Sequence, residues 1–285
     1  MNTKKVLDIQ TSSVGFIGCG AMGGALIRAV TKVVNPKNVF LLDHNQPKVE
    51  ILTSETGAVA VKDYNELLSK KTDYLFLASK PPYICEILTD LYKIDSANMP
   101  PVIISVAAGI TLTQLQQTLS SNSNFSIKNL PTFVRLMPNT PAQIGEGMIA
   151  LCVNKETPVV SEVKNLLAKA GCIEQVPEKL MDAVTAISGS GPAYVYMFIE
   201  ALADAAVAFG MPRSKAYIFA AQTVKGSAAM VLETGIHPGA LKDAVCSPAG
   251  TTIAAVETLE KTGMRSAVIQ GARASFNKSC KMSNN

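Results

Sequence analysis

Residues 13–23, SVGFIGCGAMG, decide the fold of this chain. A β-rich apolar run over residues 13–18 leads directly into Gly18-Cys19-Gly20-Ala21-Met22-Gly23, and residues 21–34 then have helical composition. Each glycine of such a strand–turn–helix has a physical use. Gly18 permits the tight turn, Gly20 leaves the backbone bare so that a pyrophosphate can approach, and Gly23 lets helix and strand pack closely. The unsatisfied N–H groups of the first helical turn then bind phosphate. Glycines at this spacing also punctuate ordinary turns. The strand before and the helix after distinguish this one.

Working outward, the pattern repeats. Residues 38–43 read as a second strand, 46–56 as a helix, 58–61 as a short strand and 64–71 as a helix. Buried strands follow at 74–78 and 102–107, separated by a helix after Pro81-Pro82. Strands at 134–137, 148–153 and 173–176 extend the series, with a helix at 158–170. Continuous apolar strands alternating with helices predict a parallel sheet covered on both faces, an α/β architecture. Beyond residue 176 the strands stop. Helical composition covers 180–187, 192–209, 214–233, 238–245, 252–260 and 264–279, with Gly191-Pro192, Gly210 and Gly263 as punctuation. Two domains are expected, 1–176 and an all-helical 177–285. The helix from Pro192 is apolar nearly all round, so it must be buried, and a partner subunit is the expected cover.

Composition narrows the function. Hydrophobic residues make up 48% and charged residues 17%, which supplies real cores and argues against disorder. The net charge of +4 is thinly spread, with no basic stripe interleaved with aromatics, so nucleic acid is not an expected partner. The six cysteines form no close pair and the two histidines, His44 and His237, have no neighbouring ligand motif. Buried free thiols in a reducing compartment are expected, and no metal site. The opening MNTKKVLDIQ lacks an apolar h-region, and the most apolar stretch, 187–210, carries Glu200 and Asp204. Neither a secretory signal nor a membrane span is expected, and the protein is read as cytoplasmic.

Several residues are candidates for chemistry. Asp43 closes the second strand, where a carboxylate accepts hydrogen bonds from adenosine ribose hydroxyls and repels a 2′-phosphate. His44, Asn45 and Lys48 follow at once and could hold a phosphate, which leaves NAD against NADP open. Three loops sit at later strand ends: Ala78-Ser79-Lys80-Pro81, Ser105 to Gly109, and Met137 to Pro141. Ligands of open α/β sheets bind outside the carboxyl ends of strands, and small residues there suit close passage of a cofactor. In the helical half, Ser247-Pro248-Ala249-Gly250-Thr251-Thr252 lies between two helices. It reads equally as a carboxylate cradle or as a plain N-cap.

Together these segments carry a resemblance. VGFIGCGAMGGALI at 14–27, ASKPP at 78–82, SVAAGIT at 105–111, RLMPNTPAQIGEGM at 135–148, SGSGPAY at 188–194 and HPGALKDAVCSPAGTTI at 237–253 resemble pyrroline-5-carboxylate reductases, in order and over nearly the whole chain. The resemblance implies a Rossmann-type domain followed by a helical domain that interlocks into a homodimer, with dimers assembling further. It implies NADP or NAD bound by Gly18, Cys19, Gly20, Ala21, Met22 and Gly23, by Asn65, by Ala78, Ser79, Lys80 and Pro81, and by Ala107, Ala108 and Gly109, to which the strand-end position adds Asp43. It implies substrate binding at Ser247, Gly250, Thr251 and Thr252, with the Thr252 hydroxyl directed to the ring nitrogen.

The implied reaction is reduction of 1-pyrroline-5-carboxylate to L-proline by hydride transfer to the imine carbon. It suits a chain poor in acid–base residues, because the iminium brings its own proton. Ala249 departs from the glycine usual in the family's SPGGTT, Ile236 replaces a polar residue before His-Pro, and the DHNQ strand end differs from NADP-preferring members. A β-hydroxyacid dehydrogenase would need a general base, commonly a Lys, yet residues 189–197 contain none. A non-catalytic dinucleotide-binding protein would have no need of SPAGTT.

Overall fold

The computed structural model describes residues 9–120, 130–155 and 157–283. Eight strands form one sheet: β1 (Val14–Ile17), β2 (Val39–Leu42), β3 (Val59–Ala60), β4 (Tyr74–Leu77), β5 (Val102–Ser105), β6 (Thr132–Met137), β7 (Gly147–Val153) and β8 (Gly171–Gln175). Their spatial order is β3-β2-β1-β4-β5-β6-β7-β8. Helices α1 (Ala21–Val30), α2 (Gln46–Thr56), α3 (Tyr64–Ser69), α4 (Ile84–Asp95), α5 (Leu112–Ser120) and α6 (Val159–Leu166) lie between them in the chain.

The strands alternate their side chains between two cores, as the pleat requires. Phe16, Phe76, Ile104 and Val134 face one core, where the Phe16 and Phe76 rings stack at 4.5 Å between centroids. Ile17, Leu75, Leu77, Ile103 and Phe133 face the other. Both faces are therefore sealed.

The sheet is parallel except at β6–β7, which pair antiparallel. Among the described strands this pair is the one departure from the expected parallel sheet. The residues joining these strands, 138–146, make only a single short helical turn over Thr140–Ile144, too few for the crossover that parallel pairing needs. Helix α5 was missed in the sequence although Leu112, Leu115 and Leu119 bury one face at helical spacing. Arg135 on β6 is buried and pairs with Glu178 Oε1 at 3.0 Å, and the same oxygen accepts the Leu112 N–H at 2.7 Å. One carboxylate thus ties β6, the start of α5 and the segment beyond β8.

By contacts the chain forms two compact units, residues 1–189 with 275–285, and residues 190–274. The sequence reading placed the change at 176/177, where strands give way to helices. The first unit also contains α7 (Met181–Val184) and a π-helical turn at Thr185–Gly189. The end of α12 (Met264–Ser283) belongs with it: the Ser279 hydroxyl donates to Asp182 Oδ1 at 2.6 Å. The second unit comprises α8 (Gly191–Ala208), α9 (Arg213–Thr234), α10 (Pro238–Ala244), α11 (Thr251–Lys261) and the first part of α12. Its buried residues are Ala203, Ala216 and Ala220, where α8 meets α9. Val195, Tyr196, Met197, Phe198, Ile218, Phe219 and Leu232 are exposed. No described helix is long and apolar enough to cross a membrane.

Candidate functional site

The strand order fixes where a ligand can bind. From β1 the chain steps outward to β2 and β3, then returns past β1 to β4 and continues the other way. Strands β1 and β4 therefore flank the point of reversal, and the crevice beyond their carboxyl ends is the binding position of an open α/β sheet. Two segments emerge there, Gly18–Gly23 and Ala78-Ser79-Lys80. They are pinned to their neighbours: Gly18 N–H donates to Leu42 O at 2.9 Å and Ala78 N–H to Ile17 O at 2.8 Å.

The three glycines differ in a way that reveals the site. Gly18 has φ +108°, and a Cβ there would lie 2.5 Å from the Ala78 carbonyl carbon and oxygen. At Gly23 a Cβ would lie 2.1 Å from Gly18 O. Both are required by the fold itself. A Cβ at Gly20 would meet nothing within 4 Å, so that glycine faces open space. Gly20 is also the N-cap of α1, with no side chain capping the helix. Bare amides at a helix start beside an open, Cβ-free position fit a pyrophosphate.

The adjoining cavity has a volume of about 590 Å³ and is lined by Gly18, Gly20, Asp43, Ala78, Ser79 and Lys80 of the expected residues. His44, Lys48, Tyr64, Tyr83, Glu86, Ile87 and Asp90 line it as well. The last four recur at helical spacing along the start of α4. That periodicity was visible in the sequence, but not that the face borders a cavity. Burial raises the Tyr64 hydroxyl pKa above the usual tyrosine range, with Asp90 and Glu86 adding to it.

Asp43, expected to accept ribose hydroxyls, is already held by the backbone. Its Oδ2 accepts the Cys19 N–H at 2.6 Å and its Oδ1 the Asn45 N–H at 2.8 Å. The carboxylate therefore also braces the glycine turn. Burial, and then the charge of Asp43, push the Cys19 thiol up to about 12, partly offset by Lys48. Cys19 is consequently a packed, unreactive thiol. All six cysteines are free, but they are not all buried: Cys19 and Cys152 are, whereas Cys172 on β8 is exposed.

The other expected residues distribute as follows. Cys19, Ala21, Met22 and Gly23 build the turn without lining the cavity, and Pro81 starts the helical turn after Lys80. Asn65 is exposed on α3, while its neighbour Tyr64 lines the cavity. Ala107 is buried and Ala108 half-buried, and Gly109, with φ +80°, packs against the backbone of Met282. Asn139 of the MPNTP segment is a buried clamp: its amide nitrogen donates to Ser188 O at 3.1 Å and its oxygen accepts the Met148 N–H at 2.9 Å.

In the second unit, Gly250 is the N-cap of α11 and no side chain caps it. The N–H of Gly250 donates to Ser247 O at 3.0 Å, so that amide is already used. Ser247 and Thr251 are exposed and Thr252 is half-buried. The plain N-cap reading of this segment, with a Ser or Thr side chain closing the helix, is not what the structure contains.

The sheet topology, the glycine turn and the crevice define a Rossmann-type dinucleotide-binding protein. Two family descriptions match the chain: "NADP oxidoreductase coenzyme F420-dependent" over residues 13–109 and "Pyrroline-5-carboxylate reductase dimerisation" over residues 178–282. The pyrroline-5-carboxylate reductase of Escherichia coli is 43% identical over 274 residues, covering 95% of this chain and 98% of that protein. That of Arabidopsis thaliana is 38% identical over 98% of this chain and 99% of its own. Among solved structures, the Plasmodium falciparum pyrroline carboxylate reductase with NADP bound superposes with TM-score 0.80 at 31% identity, covering 96% of this chain and 99% of that one. The chain belongs to the pyrroline-5-carboxylate reductase family. Its helical half is a homo-oligomerisation domain.

Proposed function

We infer that the chain reduces 1-pyrroline-5-carboxylate to L-proline with NAD(P)H, the last step of proline biosynthesis. The observation that carries this is 43% identity over 95% of the chain to a pyrroline-5-carboxylate reductase, with the glycine crevice on the first unit. When bound, the reduced nicotinamide supplies the hydride that the imine carbon accepts. The residues of the chain have binding and orienting to do. Gly20 and the amides opening α1 hold the pyrophosphate, and Ser79 and Lys80 border its path. The iminium brings its own proton, so no side chain need deliver one.

The substrate carboxylate is assigned to the N-terminus of α11. With the Gly250 amide occupied, the Thr251 amide and the Ser247 hydroxyl are the donors proposed, and Thr252 orients the ring nitrogen. Asn65, Pro81 and Ala107 to Gly109 are carried as further cofactor contacts on the family resemblance. A homodimer, with dimers assembling further, covers the exposed apolar helices. The enzyme is read as cytoplasmic, with a small molecule as its partner.

Coenzyme oxidation measured with and without pyrroline-5-carboxylate tests the reading. Substrate-dependent oxidation of NADH or NADPH is expected, and its absence with both would reject it. The Thr252→Ala variant removes one orienting hydrogen bond worth about 1–3 kcal/mol, or roughly 5- to 150-fold in kcat/KM. Unchanged kcat/KM would reject the role of Thr252.

A further inference from the structure

We propose that Asp43 makes this chain select a dinucleotide with a free adenosine 2′-hydroxyl, so that it binds NADH in preference to NADPH. The inference rests on the crevice being the dinucleotide site and adds which dinucleotide it takes.

Position comes first. Asp43 directly follows β2 and lines the same cavity as Gly18 and Gly20. With the pyrophosphate at the glycine turn, the adjacent adenosine ribose lies at the end of β2. The carboxylate is also fixed there. Backbone N–H groups of Cys19 and Asn45 each hold one of its oxygens, at 2.6 and 2.8 Å. It cannot swing away from a 2′-phosphate without releasing the turn that binds the pyrophosphate. Each oxygen keeps a lone pair with which to accept a ribose hydroxyl.

Charge and screening decide between this and the opposing basic groups. The side chain of Asp43 is 8% exposed, so its charge is poorly screened. His44, Lys48 and Lys80 also line the cavity and could attract a phosphate. The His44 side chain, however, is 97% exposed with Nδ1 3.2 Å from Asp43 Oδ1, and Lys48 stands on the surface of α2. Exposed basic groups of this kind contribute little, whereas a fixed, nearly buried carboxylate facing a doubly charged phosphate repels it strongly. Glu86 and Asp90 add two further carboxylates to the lining, and none of the described residues lining it is an arginine, the side chain best shaped to grip a phosphate.

Isothermal titration of the assembled protein with NADH and with NADPH tests this without relying on turnover. NADH is expected to bind at least about tenfold more tightly, a difference of about 1.4 kcal/mol. Asp43→Asn keeps an acceptor for the Cys19 N–H and removes the charge, and should shrink that ratio several-fold by strengthening NADPH. Equal or tighter NADPH binding by the unaltered protein would overturn the proposal, whether or not the variant folds. A ratio unchanged in Asp43→Asn would overturn the role of Asp43. Binding of neither dinucleotide would instead reject the site on which the proposal stands.

Discussion

The first unit buries Phe16, Tyr74, Phe76, Phe133 and a full complement of Leu, Ile and Val between sheet and helices, whereas the second buries only Ala203, Ala216 and Ala220 and leaves Tyr196, Met197, Ile218, Phe219 and Leu232 in the open. Apolar burial supplies about 25 cal/mol per Å² against the entropy of ordering the chain, and three alanines cannot supply much. The sheet unit therefore specifies its own structure, whereas the helical unit, which carries the oligomerisation domain, leaves its apolar side chains for a partner surface to cover. One consequence is functional: the cavity that fits a dinucleotide is built wholly from the self-sufficient unit.

The largest effect should come from attacking the dependent unit. The double variant Met197→Glu with Phe219→Glu places two carboxylates where the partner must pack, at a cost on the order of several kcal/mol per site. Sedimentation velocity should show the oligomer reduced to monomer, and an unchanged mass would show that these helices are not the interface. Within the sheet unit, two glycines of one motif should respond differently. Gly23→Ala drives a Cβ into Gly18 O and should cost about 3 kcal/mol in denaturant unfolding. Gly20→Val faces open space and should cost no more than about 1 kcal/mol in unfolding, from the poorer N-cap, while lowering dinucleotide affinity at least about tenfold. Equal stability losses at both positions would remove the distinction between a packing glycine and a binding glycine.

A smaller effect is expected at Glu178. Its replacement by Ala leaves the Arg135 side chain, 3% exposed, without its counter-charge and frees the Leu112 N–H. Because Glu178 itself is 30% exposed, a loss of about 2–3 kcal/mol in chemical unfolding is expected, and a loss below about 0.5 kcal/mol would mean that Arg135 finds another partner. The smallest effect lies at Ala249, which has φ +56° just before α11. Left-handed backbone costs a residue with a Cβ about 1–2 kcal/mol, and glycine returns about 0.4–1 kcal/mol of that as chain entropy. Ala249→Gly should therefore raise stability by roughly 0.5–1 kcal/mol, read as a small increase in Tm. A decrease would show that the conformation is not strained.

How far these features were legible follows from the range of the forces behind them. The strand–Gly18–helix turn, the alternation that follows and the strand-free second half rest on local periodicity, which a sequence displays directly. The reversal of β7 was not legible from strand patterning, because residues 132–137 and 147–153 are apolar in either direction. Only the shortness of the link argued for it. At the site, Gly18, Gly20, Ala78 and Lys80 were readable because strand ends converge at the point of reversal. Tyr64, Tyr83, Glu86 and Asp90 were not, because their place at the cavity depends on how α3 and α4 pack on the sheet. The clamp that Asn139 makes from the loop after β6 was not legible either. Its two hydrogen bonds, to Ser188 and Met148, span distances in sequence that spacing cannot reveal.

The expected division is that one unit binds the coenzyme alone while the other works only in company. It is tested most directly by titrating NADH into the dissociated Met197→Glu, Phe219→Glu protein and assaying the same sample with pyrroline-5-carboxylate. Coenzyme affinity within about threefold of the assembled protein, with turnover lost, is the predicted result. Turnover that survives dissociation, or coenzyme binding that vanishes with it, would contradict the account.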